Sequence, residues 1–183
     1  MNRFFSIVLA GVLAIPALAQ DAKTNAAPER IKPAVAGVPA SGQSFLASAA
    51  VLSSPLVLTN DYFHLATDQA EVANGGKAVF DFTIKNAGDY VIEALVSAPD
   101  ESSNSFFLNL DAQPTDPDMI WDIEVTSGFE QRTVSLRGNG DSASNEFAPK
   151  RFKLTPGAHQ LIIIGREPGA LLKSLSIRPA PVD

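Results

Sequence analysis

Cysteine is missing from this 183-residue chain, which excludes disulfides, a thiolate nucleophile and the acylated cysteine that anchors bacterial lipoproteins. Histidine is nearly missing. His64 and His159 stand 95 positions apart, with no helix to pair either of them with another ligand, so no zinc site is expected. Basic residues are scarce, 14 against 20 acidic ones for a formal charge of −6, and form no cluster. Such a surface repels phosphate backbones and anionic lipid, which excludes nucleic-acid and electrostatic membrane binding. Neither a Gly-x-Ser-x-Gly elbow nor a phosphate-cradling glycine loop occurs, so those nucleophilic and nucleotide chemistries lack their scaffolds, and no cofactor is implied. Glycosidases need two suitably spaced carboxylates, but 20 acidic residues offer so many pairs that none is informative. The chain reads as a non-enzyme. Amphipathic 3.6-residue periodicity over ten or more residues with a cap is also lacking, and the only helix-like stretch, "FLASAAVL", is short.

One long apolar run is present, at the start. "MNRFFSIVLAGVLAIPALAQ" has Arg3, an apolar stretch over residues 4–15, and Ala17-Leu18-Ala19 before Gln20, the pattern of a secretory signal peptide cleaved after Ala19. Removing these 19 of 183 residues leaves 164, enough for one domain with a proper core, and losing Arg3 takes the formal charge from −6 to −7. No second long apolar run follows, so no membrane insertion is expected after cleavage. Export without cysteine points to a periplasmic or secreted protein of a bacterial envelope. Residues 20–44 are rich in Ala and Pro without a sustained period, as in a linker.

From Phe45 to residue 183, β-type segments arrive at short intervals between Gly, Asn, Asp and Pro. "KAVFDFTIK" (77–85) places Phe80, Phe82 and Ile84 on one face and Asp81 and Thr83 on the other, a half-buried strand. Asn86-Ala87-Gly88-Asp89 supplies a turn before "YVIEALVSA", and Pro99-Asp100 precedes "SFFLNLD", so an antiparallel meander is predicted. Further strands are expected at 55–59, 62–65, 120–125, 132–137, 151–155, 160–165 and 171–178. Eight or more short strands indicate an all-β, two-sheet antiparallel β-sandwich of jelly-roll type. Its core would hold Phe80, Phe82, Ile92, Phe106, Leu108, Leu161, Ile163 and Leu175.

Three blocks carry a family resemblance: "AGDYVIEALVSAPDESSNSFFLNLD" (87–111), "WDI" (121–123) and "FKLTPGAHQLIIIGREPGALLKSLSI" (152–177). With Gly88-Asp89-Tyr90, Ser105-Phe106 followed by Asp111, Leu154 with Gly157 and His159, and Gly165-Arg166-Glu167 in order, the chain resembles galactose-binding-like carbohydrate-binding modules similar to families six and thirty-five. The resemblance implies a jelly roll that binds a polysaccharide or other glycan. It also sets out two departures. Where family members place a calcium-binding Asp in the last strand this chain has Lys173, and their Asn just before that strand is replaced by Ala170-Leu171. A cation cannot ligate a hard metal, so the implied calcium site is lost. Asp111, Asp116 and Asp118 form an acidic turn that is either a solvated loop or a calcium-collecting one.

Sugar binding needs a flat aromatic surface and planar polar side chains that read hydroxyls. Trp121, the single tryptophan, is the candidate platform, with Asp122 beside it and Phe129 as a second apolar surface. Trp121 as a core residue is the competing reading. Asn104, Asn109 and Asn145 are candidates for hydroxyl recognition. Arg166 and Glu167 either contribute to a pocket at the sandwich rim or form the corner of the last hairpin. The expected function is non-catalytic carbohydrate binding. The alternatives are a structural or protein-interaction β-sandwich that has lost the sugar site and, on fold analogy alone, a polysaccharide-active enzyme.

Overall fold

The structure is a computed structural model that describes residues 37–38 (backbone only), 42–137 and 146–182. The signal peptide, most of the linker and Asn145 lie outside the described residues. Along the chain run β1 (Gly37–Val38), β2 (Gln43–Leu46), a 3-10 turn (Ala47–Ala49), β3 (Val51–Ser53), β4 (Leu56–Thr59), β5 (Tyr62–Leu65), β6 (Lys77–Ile84) and β7 (Gly88–Ser97). They are followed by β8 (Ser105–Leu110), β9 (Ile120–Asp122), β10 (Glu130–Thr133), β11 (Phe152–Leu154), β12 (Gly157–Gly165) and β13 (Leu171–Pro179).

These strands form two sheets. The first has the order β1-β6-β12-β8-β9, with β3 also on β6. The second has the order β10-β7-β13-β5-β4, with β11 also on β7 and β2 on β13. Every pairing is antiparallel except that of β1 with β6. Alternation in the sequence becomes alternation in burial: in β6, Phe80, Phe82 and Ile84 are buried and Asp81 is exposed. All eight expected core residues are buried between the sheets. Phe63 joins them, with its ring centroid 6.4 Å from that of Phe80 and 5.9 Å from that of Phe106.

Two local expectations fail. The meander over β6, β7 and β8 does not form, because β6 and β8 belong to the first sheet and β7 to the second. The turn at 86–87 therefore crosses between sheets, so that the apolar faces of β6 and β7 oppose each other across the core instead of sharing one sheet face. The helix-like "FLASAAVL" becomes the end of β2, one 3-10 turn and the start of β3. Pairing of Leu46 with Ser174 and of Val51 with Val79 outweighs the helix preference of its alanines. Paired backbone also begins ahead of the composition change at Phe45, at Gln43 in β2 and at Gly37 in β1.

A second, smaller apolar cluster of Phe107, Ile120 and Ile164, flanked by Val72 and Ile162, lies apart from the main core. These residues alternate with core residues along β8, β9 and β12, so they occupy the outer side of the first sheet. The β5–β6 connection lies against this region. Ala70 N–H donates to Arg166 O at 2.8 Å, and Gly165 N–H donates to Gly75 O at 3.2 Å. A Cβ on Gly165 would sit 2.7 Å from Gly75 O, so the glycine that opens Gly165-Arg166-Glu167 is needed for close backbone approach.

Candidate functional site

Strand parity separates the expected site residues. In β9, Trp121 is registered opposite Phe106 and faces the core with it, their ring centroids 6.2 Å apart. Its exposure is 0 %, so the structure excludes it as a sugar platform and selects the core reading. Asp122, the next residue, points to the outer side of the first sheet and is also buried. Its two carboxylate oxygens accept from Arg137 Nε and Nη2, each at 2.7 Å. The hydrogen bond to Asp122 raises the Arg137 pKa; burial opposes the rise, and the charges of Asp122 and Glu167 add to it.

Asn104, Arg166 and Glu167 are likewise engaged within the protein. Asn104 N–H donates to Glu167 Oε2 at 3.0 Å, and Asn104 Nδ2 donates to Ile123 O at 2.9 Å. Arg166 pairs with Glu167, donates to Ser105 Oγ at 2.6 Å and lies 5.9 Å from the Phe107 ring centroid. The Arg-Glu pair is thus a structural corner, but not of a hairpin as expected: β12 lies in the first sheet and β13 in the second, so the pair sits in the connection that crosses between the sheets and ties it to the start of β8. The reading of Asn104, Asp122, Arg166 and Glu167 as ligand contacts is corrected on the same ground: Asp122 is held by Arg137, Arg166 by Ser105 and Glu167, Glu167 also by the Asn104 N–H, and the Asn104 side-chain amide by Ile123 O. Asn109 turns to its own loop, with Nδ2 3.5 Å from Gln113 O.

Phe129 has a different setting. It is 37 % exposed and its ring centroid lies 5.8 Å from that of Tyr62. In β5, Phe63 and Leu65 are buried while Tyr62 and His64 face the other way, onto the outer face of the second sheet. Tyr62 and Phe129 therefore lean together across that face. Lys173 Nζ sits 5.4 Å from the Phe129 ring centroid and 2.7 Å from Asp61 Oδ2, a cation over a π face that is also paired with a carboxylate. His64 Nδ1 donates to Leu65 O at 3.1 Å, and its Nε2 lies 3.1 Å from Thr59 Oγ1. Tyr62 and Phe129 expose ring surface beside an ammonium, a carboxylate and an imidazole, the combination of flat apolar surface and hydrogen-bonding groups that holds a polar ring.

Tyr62, His64, Thr59 and Asp61 were not among the residues expected from sequence. The signal for two of them was there: period 2 in "YFHL" puts Tyr62 and His64 together, opposite Phe63 and Leu65. What brings Phe129 to Tyr62 is the sheet order, which is not a local property. Lys173, at the position where the resembled family carries a calcium ligand, makes an ion pair instead.

The acidic turn is spent differently. Asp111 Oδ1 accepts from Gln160 N–H at 2.8 Å and Oδ2 lies 2.6 Å from His159 Nδ1, while His159 Nε2 lies 2.7 Å from Thr155 O. Burial pushes the His159 pKa down, but the bonds to Asp111 and Thr155 together outweigh it, and the net shift is upward from 6.5. Among the described residues no group of three or more His, Cys, Asp or Glu side chains gathers to hold a metal ion.

No family model matches the sequence and no curated protein sequence matches it, but solved structures do. The chain is similar to a family 35 carbohydrate-binding module from Clostridium thermocellum, with a TM-score of 0.54 and 13% identity over 77% of this chain and 100% of that one. It is similar to a family 6 module from Clostridium stercorarium solved in complex with cellobiose, with a TM-score of 0.51 and 11% identity over 80% and 100%. A third is the C-terminal family 6 module of LamC, a marine laminarinase from Zobellia galactanivorans, with a TM-score of 0.50 and 12% identity over 75% and 99%. At this identity the likeness is one of fold: the described chain has the two-sheet β-sandwich of the family 6 and family 35 carbohydrate-binding modules.

Proposed function

We propose that the protein is an exported, non-catalytic carbohydrate-binding protein that holds a polysaccharide or glycan on the outer face of its second sheet, at Tyr62 and Phe129. The observation that carries this reading is the Tyr62–Phe129 ring pair, Tyr62 half-buried and Phe129 exposed, with the Lys173–Asp61 ion pair beside it. Pyranose C–H groups pack on such rings, and the charged pair offers both a donor and an acceptor to sugar hydroxyls. The fold likeness supports the class of ligand by analogy. Localisation in the periplasm or medium follows from the N-terminal leader read in the sequence.

The alternative, an interaction β-sandwich without sugar affinity, is favoured by Leu171 and Lys173, which replace two polar positions of the resembled pattern. Affinity electrophoresis against cello-, xylo-, manno- and laminari-type polysaccharides separates the two. Retardation of the wild type by at least one polymer, lost in Tyr62→Ala and Phe129→Ala with unchanged melting temperatures, is the expected result. No retardation by any polymer favours the interaction protein, and retardation that survives both substitutions moves the site elsewhere.

A further inference from the structure

Away from the Tyr62–Phe129 face, beside β9 of the first sheet and β10 of the second, a cleft of about 150 Å³ opens between Asp122, Glu124, Arg132, Thr133, Ser135 and Phe147. Thr133 pairs with Glu93, whereas Glu130, next to Phe129, pairs with Val96. Four residues of strand, roughly 13 Å, therefore separate Phe129 from Thr133.

The floor of the cleft is stiff. Asp122 is held by both bonds from Arg137, and Ser135 Oγ donates to Glu146 O with Asp122 O 3.3 Å away. The mouth is less complete. Phe147 is 49 % exposed. Arg132 Nη1 donates to Gln131 O at 3.0 Å and Nη2 lies 2.9 Å from Glu130 Oε2, but Nε is buried without a hydrogen-bond partner. The Glu124 carboxylate forms an ion pair with that Nε at 3.6 Å, beyond hydrogen-bond range, from a side chain that is 69 % exposed. A buried donor without an acceptor is costly in a folded protein and marks a place where an oxygen is wanted.

We propose that this cleft is a second binding pocket, for a single neutral polyhydroxylated ring. Its size admits about five water volumes at ~30 Å³ each, below the range of pockets for larger ligands, so one ring or the end of a chain fills it. Its charge selects neutrality. An anion meets Glu124, and a cation meets Arg132. A hydroxyl, which both donates and accepts, satisfies the two signs at once, and Phe147 gives an apolar surface for ring C–H groups. The inference stands on the cleft alone and does not require the Tyr62–Phe129 face to bind sugar.

The test is a titration of 15N-labelled protein with methyl β-glucopyranoside, methyl β-xylopyranoside and methyl β-galactopyranoside, and separately with sodium acetate and methylammonium chloride. Saturable shifts at the amides of Glu124, Thr133 and Phe147 are expected with at least one glycoside. They should weaken about tenfold or more in Phe147→Ala and Glu124→Gln, both at exposed side chains, and persist in Phe129→Ala. The proposal is overturned if no glycoside moves those amides saturably, if acetate or methylammonium saturates them and the glycosides do not, or if the shifts vanish in Phe129→Ala and survive in Phe147→Ala. Loss of polysaccharide retention in Tyr62→Ala and Phe129→Ala with these shifts retained would show two independent sites, and failure of either reading leaves the other measurable.

Discussion

Two aromatic regions of this protein look alike in sequence and behave in opposite ways in the fold. Trp121, beside Asp122, and Phe129, eight residues on, both lie near acidic and turn residues. Trp121 is sealed against Phe106 between the sheets, while Phe129 lies open against Tyr62 under Lys173. The ionic partners follow the same division. Asp122 and Arg137 form a buried, doubly hydrogen-bonded pair, and Asp61 and Lys173 a single contact between exposed groups. Residue type and neighbourhood do not make a binding surface. The side of the strand on which a residue falls, and what the sheet order places across from it, do.

The largest effect that would break this comparison is on stability. Trp121→Ala should cost about 3–5 kcal/mol of folding free energy, as loss of a large core side chain does, without altering glycan affinity in whatever fraction stays folded. Chemical denaturation with polysaccharide retention on the same samples checks both halves, and a Trp121 variant that folds normally but loses binding would reverse the assignment. Glu167→Ala comes next. It leaves the Asn104 N–H and the Arg166 guanidinium short of their acceptor, at about 1.5–3 kcal/mol for a hydrogen bond to a charged group. Its signature in a thermal melt is destabilisation with retention on polysaccharide unchanged.

Phe129→Ala should do the reverse. Stability is expected to change little, while glycan affinity drops by about 1–3 kcal/mol, roughly 5- to 150-fold, measurable by calorimetry with whichever polymer retards the wild type. Smaller still is a pH effect. His159 lies between two acceptors, Asp111 and Thr155 O, so the charged ring is the form that satisfies both. Its raised folded-state pKa makes the stabilisation complete below pH 6.5 and lost as pH rises through the folded value. Melting temperature should therefore fall slightly over that interval, and the fall should be reduced in Asp111→Asn, which leaves only the Thr155 O acceptor to favour the charged ring. Lys173→Ala, at an exposed pair, should change stability by no more than about 1 kcal/mol, and its consequence is to be sought in binding.

The fold was largely legible because its signals are local. "KAVFDFTIK", "YVIEALVSA" and "LIIIG" alternate or saturate with apolar residues, and strands with one buried face have no other way to satisfy both backbone and side chains. The proposed site was legible only in part. Phe129 was singled out by residue type, Tyr62 was within reach of the period-2 rule, and Trp121 could not be decided, since a strand tryptophan beside an aspartate fits either side of a sheet.

What the sequence determined by itself is therefore the class of the fold, the residues of its core and the absence of cysteine chemistry, since each follows from composition or short-range periodicity. Tertiary structure alone decided that β6 and β7 lie in opposite sheets, that Arg166 and Glu167 hold the crossing from β12 to β13 against Asn104 and Ser105, and that Tyr62 meets Phe129. Those contacts join residues about 60 positions apart, and no local preference encodes which strands become neighbours. That choice belongs to the packing of the two apolar faces as a whole.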